Sequence, residues 1–144
     1  MLEEDTPRPV LLVEDSNDDA DLILHAWRRA GIRNTVERAD DGEKACARLG
    51  DPALPPPGLV LLDLKLPRRS GHEVLRWVRA HPEEAVRRLV VVVLTSSDQE
   101  RDVRQSYDLG ANSYLVKPVR SQALLDMVRG LDGYWLQLNR VPAA

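Results

Sequence analysis

The run Gly58-Leu59-Val60-Leu61-Leu62-Asp63-Leu64-Lys65-Leu66-Pro67 carries one carboxylate to the tip of an apolar stretch before a proline interrupts it. With Pro55-Pro56-Pro57 in front and Pro67 behind, so short and apolar a run predicts a strand covered on both faces, as in the middle of a parallel sheet. Parallel strands need crossovers, and these are usually helices. The rest of the chain must therefore alternate helix and strand. Asp63 must then stand at the carboxyl edge of the sheet, where ligands of open α/β sheets bind.

The remaining segments meet that demand. Pro9-Val10-Leu11-Leu12-Val13 is a strand ending at Glu14-Asp15, and Ser16-Asn17 offers caps for a helix with Ala20, Ile23, Leu24 and Trp27 on one face and Gly31 as its stop. Asp18, Asp19 and Asp21 favour the positive end of that helix. Thr35–Ala39 alternates as an edge strand does, and Asp40-Asp41-Gly42 turns the chain into a helix through Ala45, Cys46 and Leu49. Beyond the central run a third helix carries Val74, Leu75 and Val78 and stops near His81-Pro82. Leu89–Leu94 is a strand that delivers Thr95-Ser96-Ser97-Asp98, with a cap among them, to a fourth helix with Val103 and Leu109. Ser113–Val116 is a short strand closed by Lys117-Pro118, and a fifth helix starts near Ser121 with Leu124, Leu125, Val128 and Leu131 inward. Five strands and five helices predict a doubly wound α/β fold of flavodoxin-like, three-layer type with a five-stranded parallel sheet. The expected organisation is a tail at 1–8, a domain at 9–131 and a C-terminal extension of the last helix and tail at 132–144.

Charge and length narrow the function classes. The chain has 144 residues, a net charge of −3 and 30% charged residues spread along it, which suits one domain and gives no footprint for nucleic acid. No apolar stretch reaches the ~18 residues of a membrane span, and the start lacks a signal-peptide pattern, so the expected compartment is the cytoplasm. Cys46 is the single cysteine and reads as core packing, while His25, His72 and His81 show no metal-ligand spacing. The pairs Arg28-Arg29, Arg68-Arg69 and Arg87-Arg88 read as solvated faces.

If the strand order is 2-1-3-4-5, strands one and three adjoin at the point where the winding reverses, and Glu14, Asp15 and Asp63 converge there. Three carboxylates at one edge repel each other unless a cation sits between them. Magnesium fits such a site, since it takes a few carboxylate or carbonyl oxygens and keeps waters that a phosphoryl oxygen can replace. A carboxylate there can attack phosphorus to form an aspartyl phosphate. Lys117 is then the cation for the phosphoryl charge and Thr95 a hydroxyl donor to it.

The segments Leu11-Leu12-Val13-Glu14-Asp15-Ser16, Leu61-Leu62-Asp63-Leu64-Lys65-Leu66-Pro67, Val93-Leu94-Thr95-Ser96 and Tyr114-Leu115-Val116-Lys117-Pro118 together resemble the receiver domain of two-component response regulators, over roughly residues 9 to 131. The resemblance implies Asp63 as phosphoacceptor, Glu14, Asp15 and the Lys65 backbone carbonyl as further magnesium ligands, Thr95 and Tyr114 as a switch pair, and Lys117 as the phosphate-contacting lysine before a cis Pro118. It implies a sensor histidine kinase as partner, with no turnover chemistry beyond the protein's own phosphorylation and dephosphorylation. Lys65 and Ser97 depart from residues common in the family where the hydrolytic water passes, which implies an altered lifetime of the phosphorylated state. The trailing Tyr134, Trp135 and Leu138, with no DNA-binding module, are similar to single-domain regulators that partner bacterial phytochromes, and a homodimer through helix four, strand five and helix five is the expected assembly. Two alternatives remain. A magnesium phosphatase with an aspartyl nucleophile needs an Asp-x-Asp pair where this chain has Asp63-Leu64-Lys65. A phosphorylation-independent binding module remains compatible with the fold, although no expected site residue is missing.

Overall fold

The computed structural model describes residues 7–142. Strands β1 (Val10–Val13), β2 (Val36–Ala39), β3 (Leu59–Leu62), β4 (Val91–Thr95) and β5 (Ser113–Val116) form one sheet in the order β2-β1-β3-β4-β5. Each neighbouring pair is parallel, with Val13 opposite Leu62 and Thr95 opposite Val116. Between the strands run α1 (Asn17–Arg29), α2 (Gly42–Gly50), α3 (Gly71–Arg79), α4 (Glu84–Arg87) and α5 (Glu100–Asp108), followed after β5 by α6 (Ser121–Leu131). This is the flavodoxin-like, three-layer α/β sandwich that the strand pattern predicts.

Alternation along the strands divides the core into two layers, because successive side chains of a strand point to opposite faces. Leu11, Val13, Val60, Leu62, Val91 and Val93 face α2 and α3, whereas Val10, Leu12, Leu59, Leu61, Val92 and Leu94 face α1 and α6. Every side chain of β3 is at most 1% exposed. Full burial of such side chains stabilises by roughly 1.5–3 kcal/mol each, which holds β3 in place and leaves Asp63, one residue on, little room to withdraw.

Local signals explain most boundaries. Ser16 caps α1 by accepting from the Asp19 amide, and Gly31, at φ 69°, receives the chain as α1 ends. Asp41 caps α2, and Ser70 with Glu73 makes a reciprocal capping box on α3. Four expectations need correction. A short sixth helix, α4, follows Pro82, so the expected fourth and fifth helices are α5 and α6; only Val86 of α4 is buried, too little for a visible period. Leu89 belongs to the turn leaving α4, its amide bonding Val86 O at 3.1 Å, and β4 therefore starts at Val91 and runs on to Thr95. No side chain caps α5, because Gln99 occupies the cap position and the Ser97 hydroxyl satisfies the Gln99 amide instead. No described peptide bond is cis, so Lys117–Pro118 is trans, the isomer that X–Pro bonds favour by about 0.5–1 kcal/mol.

The segment beyond α6 continues as a π-helical stretch, Asp132–Leu138. Trp135 and Leu136 fold back onto the α1–α6 layer, while Tyr134 and Leu138 stay exposed. No described helix is long and apolar enough to cross a membrane. Residues 1–6 of the expected N-terminal tail lie outside the described part.

Candidate functional site

Hydrogen bonds that extend past the strand ends bring the site together. The Asp63 amide bonds Val13 O at 3.0 Å, the Glu14 amide bonds Ala39 O at 3.0 Å, and the Lys117 amide bonds Thr95 O at 2.7 Å. These bonds keep the residues after each strand in register. Glu14, Asp15 and Asp63 consequently each present a carboxylate oxygen within 4.8 Å of the others. Glu14 and Asp63 are buried and Asp15 is exposed, so the trio has one wet side. It opens into a cleft of about 490 Å³ that Lys65, Thr95, Ser97, Arg101 and Lys117 also line. The floor requires a glycine: a Cβ on Gly71 would lie 2.2 Å from the Asp63 carbonyl oxygen.

Lys117 reaches across this cleft. Its Nζ lies 2.5 Å from Glu14 Oε1, 2.8 Å from Asp63 Oδ2 and 2.8 Å from Asp19 Oδ2. Burial alone pulls the ammonium's pKa down, but the hydrogen bonds to Asp19, Asp63 and Glu14 outweigh it and hold the pKa above the usual lysine range. Glu14 shows the opposite balance. Burial pushes its carboxyl up, and neither the Lys117 bond nor the Ser16 amide at 3.1 Å offsets that push together with the repulsion from Asp63. The two directions describe one contact: the lysine gains from three acids at once, while Glu14 holds only a share of that lysine.

Asp63 Oδ1 accepts the Leu64 amide at 2.7 Å and Oδ2 accepts Lys117, which fixes the carboxylate plane. Thr95, 1% exposed, ends β4 beside it. The Ser97 amide reaches Thr95 Oγ1 at 3.5 Å, and the Tyr114 hydroxyl donates to Ser97 O at 2.9 Å. Burial raises the Tyr114 pKa and keeps the phenol in its donating form. Ser97 Oγ also donates to Asp102 on α5 at 2.5 Å. One loop residue thus joins Thr95, Tyr114 and α5.

All of the residues singled out from sequence therefore meet at one edge: Glu14, Asp15, Asp63, Lys65, Thr95 and Lys117 line the cleft, and Tyr114 touches its rim through Ser97. Asp19 is the residue that sequence reasoning missed as part of this group. An acid in the first turn of a helix is already explained by the helix dipole, and no local pattern ties it to a lysine 98 positions away.

The donors are all carboxylate oxygens, partly shielded and open to water on one side, which is chemistry that fits magnesium. A doubly wound sheet with an acid trio, a hydroxyl and a lysine at successive strand ends defines a receiver, and the chain belongs to the response regulator receiver domain family, whose model matches residues 10–129. Receivers of two-component systems work with histidine kinases and hold a divalent ion in an acidic pocket. The chain is 41% identical over 147 residues to the probable methanogenesis regulatory protein FilR2 of Methanothrix harundinacea (strain 6Ac), covering 99% of this chain and 92% of FilR2. It is 38% identical over 146 residues to the response regulator Rcp1 of Synechocystis sp., covering 99% and 98% of the two chains. The crystal structure of Mn2+-bound Rcp1 matches with a TM-score of 0.84 over 95% of this chain and 100% of that one, at 38% identity. That of the phosphorylated cyanobacterial phytochrome response regulator RcpA matches at 0.85 over 95% and 99%, at 35% identity.

Proposed function

We propose that this protein is a single-domain response regulator that accepts a phosphoryl group on Asp63 from the phosphohistidine of a sensor histidine kinase and signals through the surface of α5, β5 and α6. The observation that carries this reading is the approach of Glu14, Asp15 and Asp63 to within 4.8 Å with Lys117 Nζ 2.8 Å from Asp63. Residues 9–131 are the receiver, 1–8 a tail and 132–144 a C-terminal extension of its last helix and tail. The chain matches 92% of FilR2 and 98% of Rcp1, so the resemblance to these regulators runs over nearly their whole lengths.

In the transfer, a carboxylate oxygen of Asp63 forms a bond to phosphorus as the P–N bond to the imidazole breaks, and the electron pair returns to the ring nitrogen. Glu14, Asp15, Asp63 and the Lys65 carbonyl are the groups that would hold magnesium, which supplies positive charge to the phosphoryl oxygens when bound. Lys117 offers its ammonium to the same oxygens, and Thr95 its hydroxyl. A phosphoryl group adds roughly −1.5 to −2 of charge at the edge. Drawing Thr95 toward that charge shifts the Ser97 loop, which Tyr114 and α5 both hold. A partner that prefers one arrangement of α5, β5 and α6 then reads the chemistry as a change in binding.

The likeness to RcpA, a cyanobacterial phytochrome response regulator, supports a bacterial phytochrome as the kinase, and we place the protein with it in the cytoplasm. Exposed Tyr107 on α5 and Val116 on β5 support that surface as the seat of a homodimer.

The test is incubation with magnesium and acetyl phosphate, or with a kinase. One acid-stable, base-labile phosphoryl adduct per chain, lost in Asp63→Asn, is the expected result. Turnover of many phosphoesters would point instead to a phosphatase, and no adduct from any donor to a phosphorylation-independent module.

A further inference from the structure

Asp19 stands outside the trio of Glu14, Asp15 and Asp63, yet it shares Lys117 with two of its members. A lysine ammonium has three N–H donors, and here three carboxylates take them: Glu14 at 2.5 Å, Asp19 at 2.8 Å and Asp63 at 2.8 Å. Glu14 and Asp63 thus face two demands, since the oxygens that meet Lys117 belong to the same side chains that a divalent ion would use. Asp19 faces only one. Its side chain is 38% exposed, against 2% for Glu14 and 9% for Asp63, and it approaches Lys117 from the first turn of α1.

The needs of α1 do not account for this contact. Asp18 lies in the same first turn and serves the helix dipole equally well, while Ser16 already caps the helix. We infer that Asp19 is a positioning residue that draws Lys117 away from Glu14 and Asp63, freeing the trio for a divalent ion while keeping the ammonium beside Asp63. Without Asp19, Lys117 settles on the two buried acids and competes with the metal for them. The inference rests on the reading of Glu14, Asp15 and Asp63 as metal carboxylates.

The test measures affinity for Mn2+, by the loss of the free-ion paramagnetic resonance signal, in wild type, Asp19→Asn, Lys117→Met and the double variant. Thermal unfolding of each establishes that it is folded. Asp19→Asn is expected to weaken binding about fivefold, the upper end of what one partly exposed ion pair contributes. Lys117→Met is expected to tighten binding. In the Lys117→Met background the Asp19 substitution is expected to matter by less than about twofold, because a residue acting through the lysine loses its effect when the lysine is gone. An equal loss in both backgrounds would show Asp19 acting directly on the ion and would overturn the inference, as would unchanged or tighter binding in Asp19→Asn alone. Absence of Mn2+ binding by wild type would instead remove the metal reading, and the inference with it.

Discussion

Burial and crowding at Glu14 pull against its bond to the Lys117 ammonium, and the consequence is a pH-dependent cost. Burial, with the Asp63 charge adding to it, raises the folded-state pKa above the unfolded value of 4.5 despite the Lys117 bond. The protonated form is thus the better accommodated one in the folded chain. Its contribution to stability is complete below the unfolded pKa and is lost as pH rises through the folded one. Glu14→Gln mimics the protonated form at every pH. In metal-free protein it is expected to match wild type near pH 4 and to be the more stable of the two near pH 7, where the buried wild-type carboxyl must carry its charge. Urea unfolding at the two pH values measures this. The same variant should bind Mn2+ more weakly, so that stability and function pull apart at a single residue. Magnesium added to wild type but not to Glu14→Gln should close the gap.

Elements meet the site through close packing as well as through side chains. The N-terminus of α3 sits under Asp63, with the Gly71 amide bonding Leu64 O at 2.8 Å and no space for a Cβ above it. Gly71→Ala must push backbone against backbone and is expected to cost about 1–3 kcal/mol in chemical unfolding. Gly130→Ala in α6, where a Cβ meets nothing within 4 Å, should instead stabilise by up to about 1 kcal/mol. Equal effects of the two would contradict the packing account. Such element-level features differ in how far sequence shows them. Asp63, Thr95 and Lys117 were legible because each directly follows or closes an apolar strand run, and the parallel topology carries strand ends to one edge. Ser16 and Gly31 marked helix ends through local chemistry alone. The short α4 and the start of β4 were not legible, because one buried valine gives no period and Leu89 reads equally well as turn or strand. The Tyr114–Ser97 and Asp19–Lys117 bonds were hidden for a different reason: their partners lie 17 and 98 positions apart in the chain, and hydrophobic patterning carries no information about polar contacts of that kind.

For the molecule as a whole, the two core layers hold the sheet rigid while polar contacts link its carboxyl edge to the α5, β5 and α6 surface. Exposed Val119, between β5 and α6, adds to the apolar character of that face. Light scattering is expected to give a dimer mass, with the dimer strengthened by a beryllofluoride phosphoryl mimic; a monomer mass in both states would remove the proposed assembly. The central claim is covalent and is tested most directly on the intact chain. Mass spectrometry after incubation with acetyl phosphate and magnesium should show one added phosphoryl group, absent with chelator and absent in Asp63→Asn. A phosphoryl group that persists in Asp63→Asn, or none in wild type from either acetyl phosphate or a histidine kinase, would contradict it.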